Sequence, residues 1–240
     1  MNAFSGTEDP HALIWLQTRD GSPTLWSNEW GESFRSIKGA FTESWAVFAE
    51  PALEDIKARG SDGEAVVVGE FGLGVGTNWL MWSFGSALRK VSTKKYFVIE
   101  NQLKAFEMGF EKWRASSALI AAFWTARGFE LSNETALEML ESFEKPEVYP
   151  SLEAAAESCA GQARVWFHDP FGYEVNPEGY SEESLQKSSR LWSKKVWGGS
   201  YACNRNFQKR LAALGMSGLE VAVVGSRVST LKRERLEFRV

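Results

Sequence analysis

The sequence predicts an α/β fold: a mostly parallel sheet with helices on both faces, preceded by a small β-rich segment. Three observations carry this reading. Residues 65–69, AVVVG, are a β-branched run of the kind that forms a strand covered on both faces. Residues 96–100 (YFVIE) and 164–168 (RVWFH) are two more short apolar runs. Stretches of helical periodicity separate all three, and strands alternating with helices build parallel sheets.

The elements follow in order. Residues 12–48 alternate in short aromatic segments around the turn Asp20 to Pro23, which predicts strands joined by tight connections. Between Glu43 and Arg59 the spacing of Trp45, Phe48, Leu53 and Ile56 predicts a helix that Pro51 interrupts or restarts. Gly60 to Gly63 closes it as a loop. After the 65–69 strand and a glycine-rich turn, Leu80, Met81, Phe84 and Leu88 mark a second helix. Residues 101–143 are helix-rich, and 151–159 is another helix. Strands are expected at Lys195 to Ala202, Leu219 to Val224 and Arg235 to Val240, with a helix from Asn204 to Leu214. This divides the chain into residues 1–60, a β-rich extension with a helix packed on the core, and residues 61–240, the main α/β domain.

Composition narrows the function classes. At 240 residues, 44% hydrophobic and 24% charged, the chain is globular and has length for one embellished α/β domain. No apolar run approaches the ~18 residues of a membrane span, and the first residues lack a secretory signal, so a cytoplasmic protein without membrane contact is expected. The only histidines are His11 and His168, and Cys159 and Cys203 are far apart, which argues against a metal site. A net charge of −4 excludes a generally basic nucleic-acid coat but not a local basic patch. The 11 Trp and 16 Phe suit either core or base-stacking roles.

Gly72, Gly74 and Gly76 sit where a strand turns into a helix. Glycine permits positive φ and close ligand approach, and the helix start offers free N–H groups, so a cofactor loop is expected; a purely structural turn would give the same pattern. The G-x-G-x-G spacing departs from the G-x-G-x-x-G of dinucleotide sites and disfavours a nicotinamide oxidoreductase. Glu100, ending the second strand, is placed to accept hydrogen bonds from ribose hydroxyls. Glu70, beside the loop, is a carboxylate for a cationic amino group. In Trp166-Phe167-His168-Asp169-Pro170-Phe171 the strand ends at Asp169, which should face the same crevice as the loop. His168 reads as a packed strand-end histidine, and Asn176-Pro177 as a turn that shapes the pocket.

Together these residues resemble a known family. Glu70-Phe-Gly-Leu-Gly-Val-Gly-Thr-Asn78-Trp-Leu, then Glu100, then Trp166 to Phe171 with Asn176-Pro177 is similar to the methyltransferase domain of the bacterial tRNA 5-methylaminomethyl-2-thiouridine biosynthesis protein MnmC and its single-domain relatives. That family carries E-x-G-x-G-x-G-x-N-F/W-L and W-F-x-D-x-F-x-x-x-x-N-P. Ser27 to Ser36, with Gly39 and Glu43, resembles its amino-terminal S-x-x-F-x-D-x-Y-F-S…G…E. Gly199-Ser-Tyr-Ala, Asn206 to Leu211, and Leu231-Lys-Arg-Glu234 resemble its late motifs, so most of residues 12–238 is covered.

The resemblance implies a Rossmann-like class I S-adenosylmethionine-dependent methyltransferase that acts on the aminomethyl group of the tRNA wobble uridine. Many members are fused to a flavin-dependent oxidase domain; only methyl transfer is implied here. Glu70, Gly72, Gly74, Gly76 and Asn78 would line the methionine side of the cofactor, and Glu100 would hold the ribose. Asp169 would face the substrate amine as the catalytic group, with Phe171 and Asn176 beside it. The family's adenine-side acid should fall around Glu147 to Ser151, with Glu147 as the candidate. Trp166, Phe171 and Tyr173 are candidates to exclude water. Lys194-Lys195, Arg205, Lys209-Arg210 and Lys232-Arg233-Arg235 are candidates for tRNA phosphates, with Lys232 and Arg233 foremost. Another amine acceptor, or a non-catalytic nucleoside-binding module, remains as an alternative.

Overall fold

The computed structural model describes residues 9–59, 64–202, 204–224 and 233–239. An antiparallel sheet of three short strands, β1 (Leu13–Gln17), β2 (Pro23–Ser27) and β3 (Glu32–Ser33), opens the chain. The turn between the first two is closed by Thr18 N–H on the Ser22 carbonyl at 2.9 Å. A nearly continuous helical run follows: α1 (Ala40–Ser44), a π turn (Trp45–Ala49) and α2 (Glu50–Ala58). Pro51 restarts the helix here. It sits in the first turn of α2, where its missing N–H leaves no regular bond unmade.

The main sheet has seven strands in the order β6-β5-β4-β7-β8-β10-β9. These are β4 (Val66–Phe71), β5 (Thr93–Ile99), β6 (Glu147–Tyr149), β7 (Ala163–His168), β8 (Trp192–Ser200), β9 (Ser217–Val224) and β10 (Arg233–Arg239). The first five in that order run parallel; β10 is antiparallel to both β8 and β9. The β8 strand begins three residues before the expected Lys195, because Trp192 already pairs with Ala163. Helices α3 (Thr77–Leu88), α4 (Lys104–Ala115), α5 (Ser117–Thr125), α6 (Asn133–Ser142), α7 (Leu152–Cys159), α8 (Glu182–Ser189) and α9 (Arg205–Ala213) make the connections. This is the mostly parallel sheet with flanking helices that the alternating pattern predicts, in the Rossmann-like form the family resemblance implies.

Period-two alternation sends side chains into two cores. Val66, Val68, Val98, Val165 and Phe167 face a large cluster containing Trp45, Phe48 and Leu53 of the amino-terminal helices and Trp79, Leu80 and Phe84 of α3. Val67, Phe97, Ile99 and Trp166 face the opposite cluster, which contains Leu152, Leu185 and Phe207. Strands buried on both faces need such continuous apolar runs. Trp79, Trp82, Trp113, Trp124, Trp166 and Trp197 are all fully buried, so most of the tryptophan is core mass. Trp166 packs on the far side of the sheet and does not border the crevice, contrary to its expected water-excluding role.

After β4 the chain moves outward through β5 and β6, then returns to pair β7 on the other side of β4. The carboxyl ends of β4 and β7 therefore flank the switch point, where open α/β sheets bind ligands. Among the described residues no helix is long and apolar enough to cross a membrane, and no group of three or more His, Cys, Asp or Glu could hold a metal ion.

Candidate active site

The crevice grows out of β4. Phe71 ends the strand, and Gly72, Gly74 and Gly76 each adopt positive φ, at 90°, 54° and 78°. At Gly72 the need for glycine is steric as well, because an added Cβ would lie 2.6 Å from the Asp169 carbonyl oxygen. The Asp169 N–H in turn donates to the Phe71 carbonyl at 2.9 Å. The glycine loop and Asp169 are thus pressed together by backbone contacts at adjacent strand ends. Gly76, in the left-handed region, launches α3.

Glu100 approaches the loop from β5. Its Oε2 accepts from the Gly74 N–H at 3.3 Å, and its Oε1 accepts from the N–H groups of Asn101 and Gln102 at 2.9 Å each. A carboxylate has about four acceptor sites, so this one is oriented by the backbone and can still take a hydroxyl donor. Gly72, Gly74, Glu100, Asp169, Phe171 and Asn176 all line one cavity of about 1310 Å³. That exceeds the ~300–1,000 Å³ of ordinary small-molecule pockets and has room for a nucleoside cofactor with its acceptor. What fits S-adenosylmethionine here is Glu100, a carboxylate pinned by backbone N–H groups at the cavity wall with acceptor sites left for ribose hydroxyls; the loop's glycines are required by Asp169, Phe34 and Phe106 packed against them.

Three expected lining residues lie behind the wall instead. Gly76 does not border the cavity, since the ring of Phe106 occupies the space a Cβ would need, at 2.6 Å. Glu70 and Asn78 are fully buried. Glu70 accepts from Asn78 Nδ2 at 2.7 Å and from the Tyr96 hydroxyl at 2.8 Å, while Asn78 Nδ2 also donates to Asp169 Oδ2 at 2.9 Å. The cation near Glu70 is the chain's own Arg35, 4.0 Å away, in place of a ligand amino group.

Arg35 is the residue that sequence reasoning passed over. It follows β3, its side chain is 4% exposed, and its guanidinium forms a tight ion pair with Asp169 Oδ2. Nη1 donates to the Tyr201 hydroxyl at 3.3 Å, and the Phe48 and Tyr201 rings flank it at 5.7 and 5.9 Å. In the family pattern S-x-x-F-x-D-x-Y-F-S this position is Phe, so a charge replacing an aromatic was the available signal. The same segment closes the mouth: Trp30 stacks on Phe171 at 5.2 Å, Phe34 packs on Phe171 at 4.8 Å, and Glu32 accepts from the Gly172 N–H at 3.0 Å.

The electrostatics follow from burial. Desolvation pushes the Asp169 carboxyl up to about 6, against the opposing pull of Arg35 and Asn78. Glu70 is raised to about 8 by burial and by the neighbouring Asp169 charge, with Arg35, Tyr96 and Asn78 opposing. Near neutral pH, Glu70 thus holds its proton and Asp169 is ionised against Arg35. His168 is 1% exposed, packed against Phe71, Tyr180 and Phe207, and burial lowers it to about 3. It is the packed strand-end histidine expected.

Other expectations are corrected or fall outside the described region. Asn176 caps the 3-10 turn Pro177–Tyr180 by accepting from the Gly179 N–H, as a pocket-shaping turn should. Glu147 does not line the cavity; it pairs with Lys95 at 2.7 Å on the edge strand. Tyr173 is 40% exposed and does not line the cavity. Lys194 and Lys195 lie toward the amino end of β8, opposite the carboxyl ends that flank the crevice. Arg210 is engaged with the Tyr180 carbonyl. Lys232 lies outside the described residues, as does Cys203. The backbone of Arg233 starts β10, and pairing of Leu236 with Ser200 sets it at the cavity end of the sheet.

The chain is similar to several known proteins. Residues 148–236 match a family described as S-adenosyl-L-methionine-dependent methyltransferase, a span that includes Asp169, Phe171 and Asn176 and begins after the glycine loop. The chain is 25% identical over 200 residues to the tRNA 5-methylaminomethyl-2-thiouridine biosynthesis bifunctional protein MnmC of Campylobacter hominis, covering 80% of this chain. It spans only 28% of the length of that relative. The crystal structure of MnmC2 from Aquifex aeolicus aligns with a TM-score of 0.66 at 20% identity, covering 95% of this chain and 71% of that one. A spermidine synthase in complex with the transition-state analogue AdoDATO aligns at 0.62 with 11% identity, covering 99% and 73%. At these identities the structural likenesses speak for the fold alone. The chain thus has a Rossmann-like fold and is similar to S-adenosyl-L-methionine-dependent methyltransferases over residues 148–236 and to MnmC over 200 residues, the resemblance its motifs carry.

Proposed function

We propose that the protein is a cytoplasmic N-methyltransferase that converts the 5-aminomethyl group of the tRNA wobble uridine to 5-methylaminomethyl. The observation that carries the methyl-transfer reading is the convergence of the glycine loop, Glu100 and Asp169 on one cavity. The acceptor is taken from the likeness to MnmC. When bound, S-adenosylmethionine supplies a methyl group already activated on its sulfonium. Glu100 would grip the ribose, with Gly72, Leu73 and Gly74 lining the cavity beside it. An unprotonated acceptor nitrogen held beside Asp169 would take that methyl group through its lone pair, the displaced electron pair would stay with the thioether sulfur that leaves, and the methylated nitrogen would give up one proton. Asp169 orients that nitrogen and takes part in the proton's departure, while Trp30, Phe34 and Phe171 keep water out.

A second reading, methylation of another amine, is favoured by one observation. Glu32, Glu178 and Glu183 line the mouth, and the Lys187 there is paired with Glu153 and Glu183, a surface better suited to a small cation than to phosphates. Transfer of labelled methyl from S-adenosylmethionine to undermodified tRNA separates the readings. Labelled methylaminomethyluridine in the digest is expected. No label in tRNA, with label in a small amine, would favour the second reading.

A further inference from the structure

Arg35 occupies the place a substrate ammonium would take against Asp169. The guanidinium is the nearest charge to that carboxylate, is itself buried, and reaches it from the amino-terminal segment rather than from the sheet. Both side chains border the cavity, and Tyr201, also on its wall, fixes the guanidinium from the far side. The groups facing this pair are few. Glu70 lies 4.0 Å from Arg35 and is bonded to Asn78 and Tyr96; Glu32 is bound to the Gly172 N–H; Tyr180 donates to the Pro170 carbonyl; Glu43 accepts from the Ser36 N–H. A cation already neutralises the carboxylate that would otherwise attract one. Like charge and burial both disfavour a second positive group beside it.

Resting on the amine-methyltransferase reading, we propose that Arg35 is a specificity-determining residue that makes the site accept the acceptor nitrogen as a free amine and reject the ammonium. The chemistry requires this form, because only the unprotonated nitrogen has a lone pair for the methyl carbon. Asp169, held by Arg35 and Asn78, then serves as an oriented hydrogen-bond acceptor for the amine N–H and not as a counter-ion.

The test is equilibrium binding of 5-aminomethyluridine and of uncharged 5-hydroxymethyluridine to the full chain, with S-adenosylhomocysteine present. Wild type is expected to bind the hydroxymethyl compound at least as tightly near pH 6, and to bind the aminomethyl compound about tenfold tighter near pH 9 than near pH 6. Arg35→Met leaves Asp169 without its cation, so that a ligand ammonium can take that place while Glu70 keeps its proton, and is expected to reverse the preference near pH 6. Its acceptor KM falls together with kcat, whereas a merely structural lesion would raise KM. Arg35→Lys keeps the wild-type preference. Should Arg35→Met fail to fold, Asp169→Asn retains the guanidinium and is expected to keep rejecting the ammonium. Identical preferences in wild type and Arg35→Met, stronger ammonium binding by Asp169→Asn, or no binding of either nucleoside overturns the proposal. Methylation of undermodified tRNA by wild type is read separately. Methylation without the charge switch sinks the role of Arg35 alone, and the switch without methylation sinks the tRNA reading alone.

Discussion

The two walls of the cavity are built by different means. The wall at β4 and β5 is local: a strand, a glycine turn and the next strand's terminal acid, joined by backbone contacts such as Gly74 N–H to Glu100. The facing wall is assembled across the chain, from an amino-terminal segment tied to Asp169 by the buried Arg35 pair and to Gly172 by Glu32. The first wall holds its shape through main-chain geometry. The second depends on charges removed from water, which cost several kcal/mol each unless paired. In the proposed function, cofactor grip falls to the first wall and acceptor chemistry to the second.

The largest effect should come from breaking the second wall at its reactive end. Asp169→Ala is expected to lower kcat for methyl transfer by about 10²–10⁴-fold, the usual range for a proton-handling group, with cofactor affinity changed less than about threefold. Steady-state kinetics with a parallel cofactor titration check this. Because Asp169 titrates at about 6 and is needed ionised, wild-type turnover should fall as pH drops through that value. A pH–rate profile flat from about 5 to 8 would remove Asp169 from the mechanism.

Breaking the first wall should cost stability before chemistry. Gly72→Ala places a methyl against the Asp169 carbonyl at positive φ and should destabilise by about 3 kcal/mol in urea unfolding. Glu100→Ala removes the ribose acceptor and should weaken S-adenosylmethionine binding about 10- to 100-fold, with kcat at saturation nearly unchanged. Smallest is His168→Phe. His168 titrates near 3 in the fold and near 6.5 when unfolded, so the unfolded state takes up the proton first as pH falls. Its contribution is complete above about 6.5 and is lost progressively down to about 3. The variant should melt within about 1.5 kcal/mol of wild type near pH 7 and lose less stability on acidification.

The same contrast explains what was legible in the sequence. The glycine loop, Glu100 and Asp169 announce themselves because each sits where a short apolar run stops, and the parallel topology brings such ends together. Arg35 does not, since nothing local says that a residue after a two-residue strand will reach the end of β7. Glu70 looked like a loop-side acid because burial cannot be read from one position; only with Asn78, Tyr96 and Arg35 around it is it a buried acid holding its proton. Lys194 and Lys195 were misplaced for a directional reason. They lie in the first half of a strand, and the crevice lies where strands end.

The most direct measurement is calorimetric titration of S-adenosylmethionine into wild type, Glu100→Ala and Asp169→Ala. If the walls divide the work, wild type binds one equivalent, Glu100→Ala binds about 10- to 100-fold more weakly, and Asp169→Ala binds nearly as wild type. Absence of binding by wild type, or an equal loss in both variants, would contradict a cofactor cradle at β4 and β5 separate from the reactive end at β7.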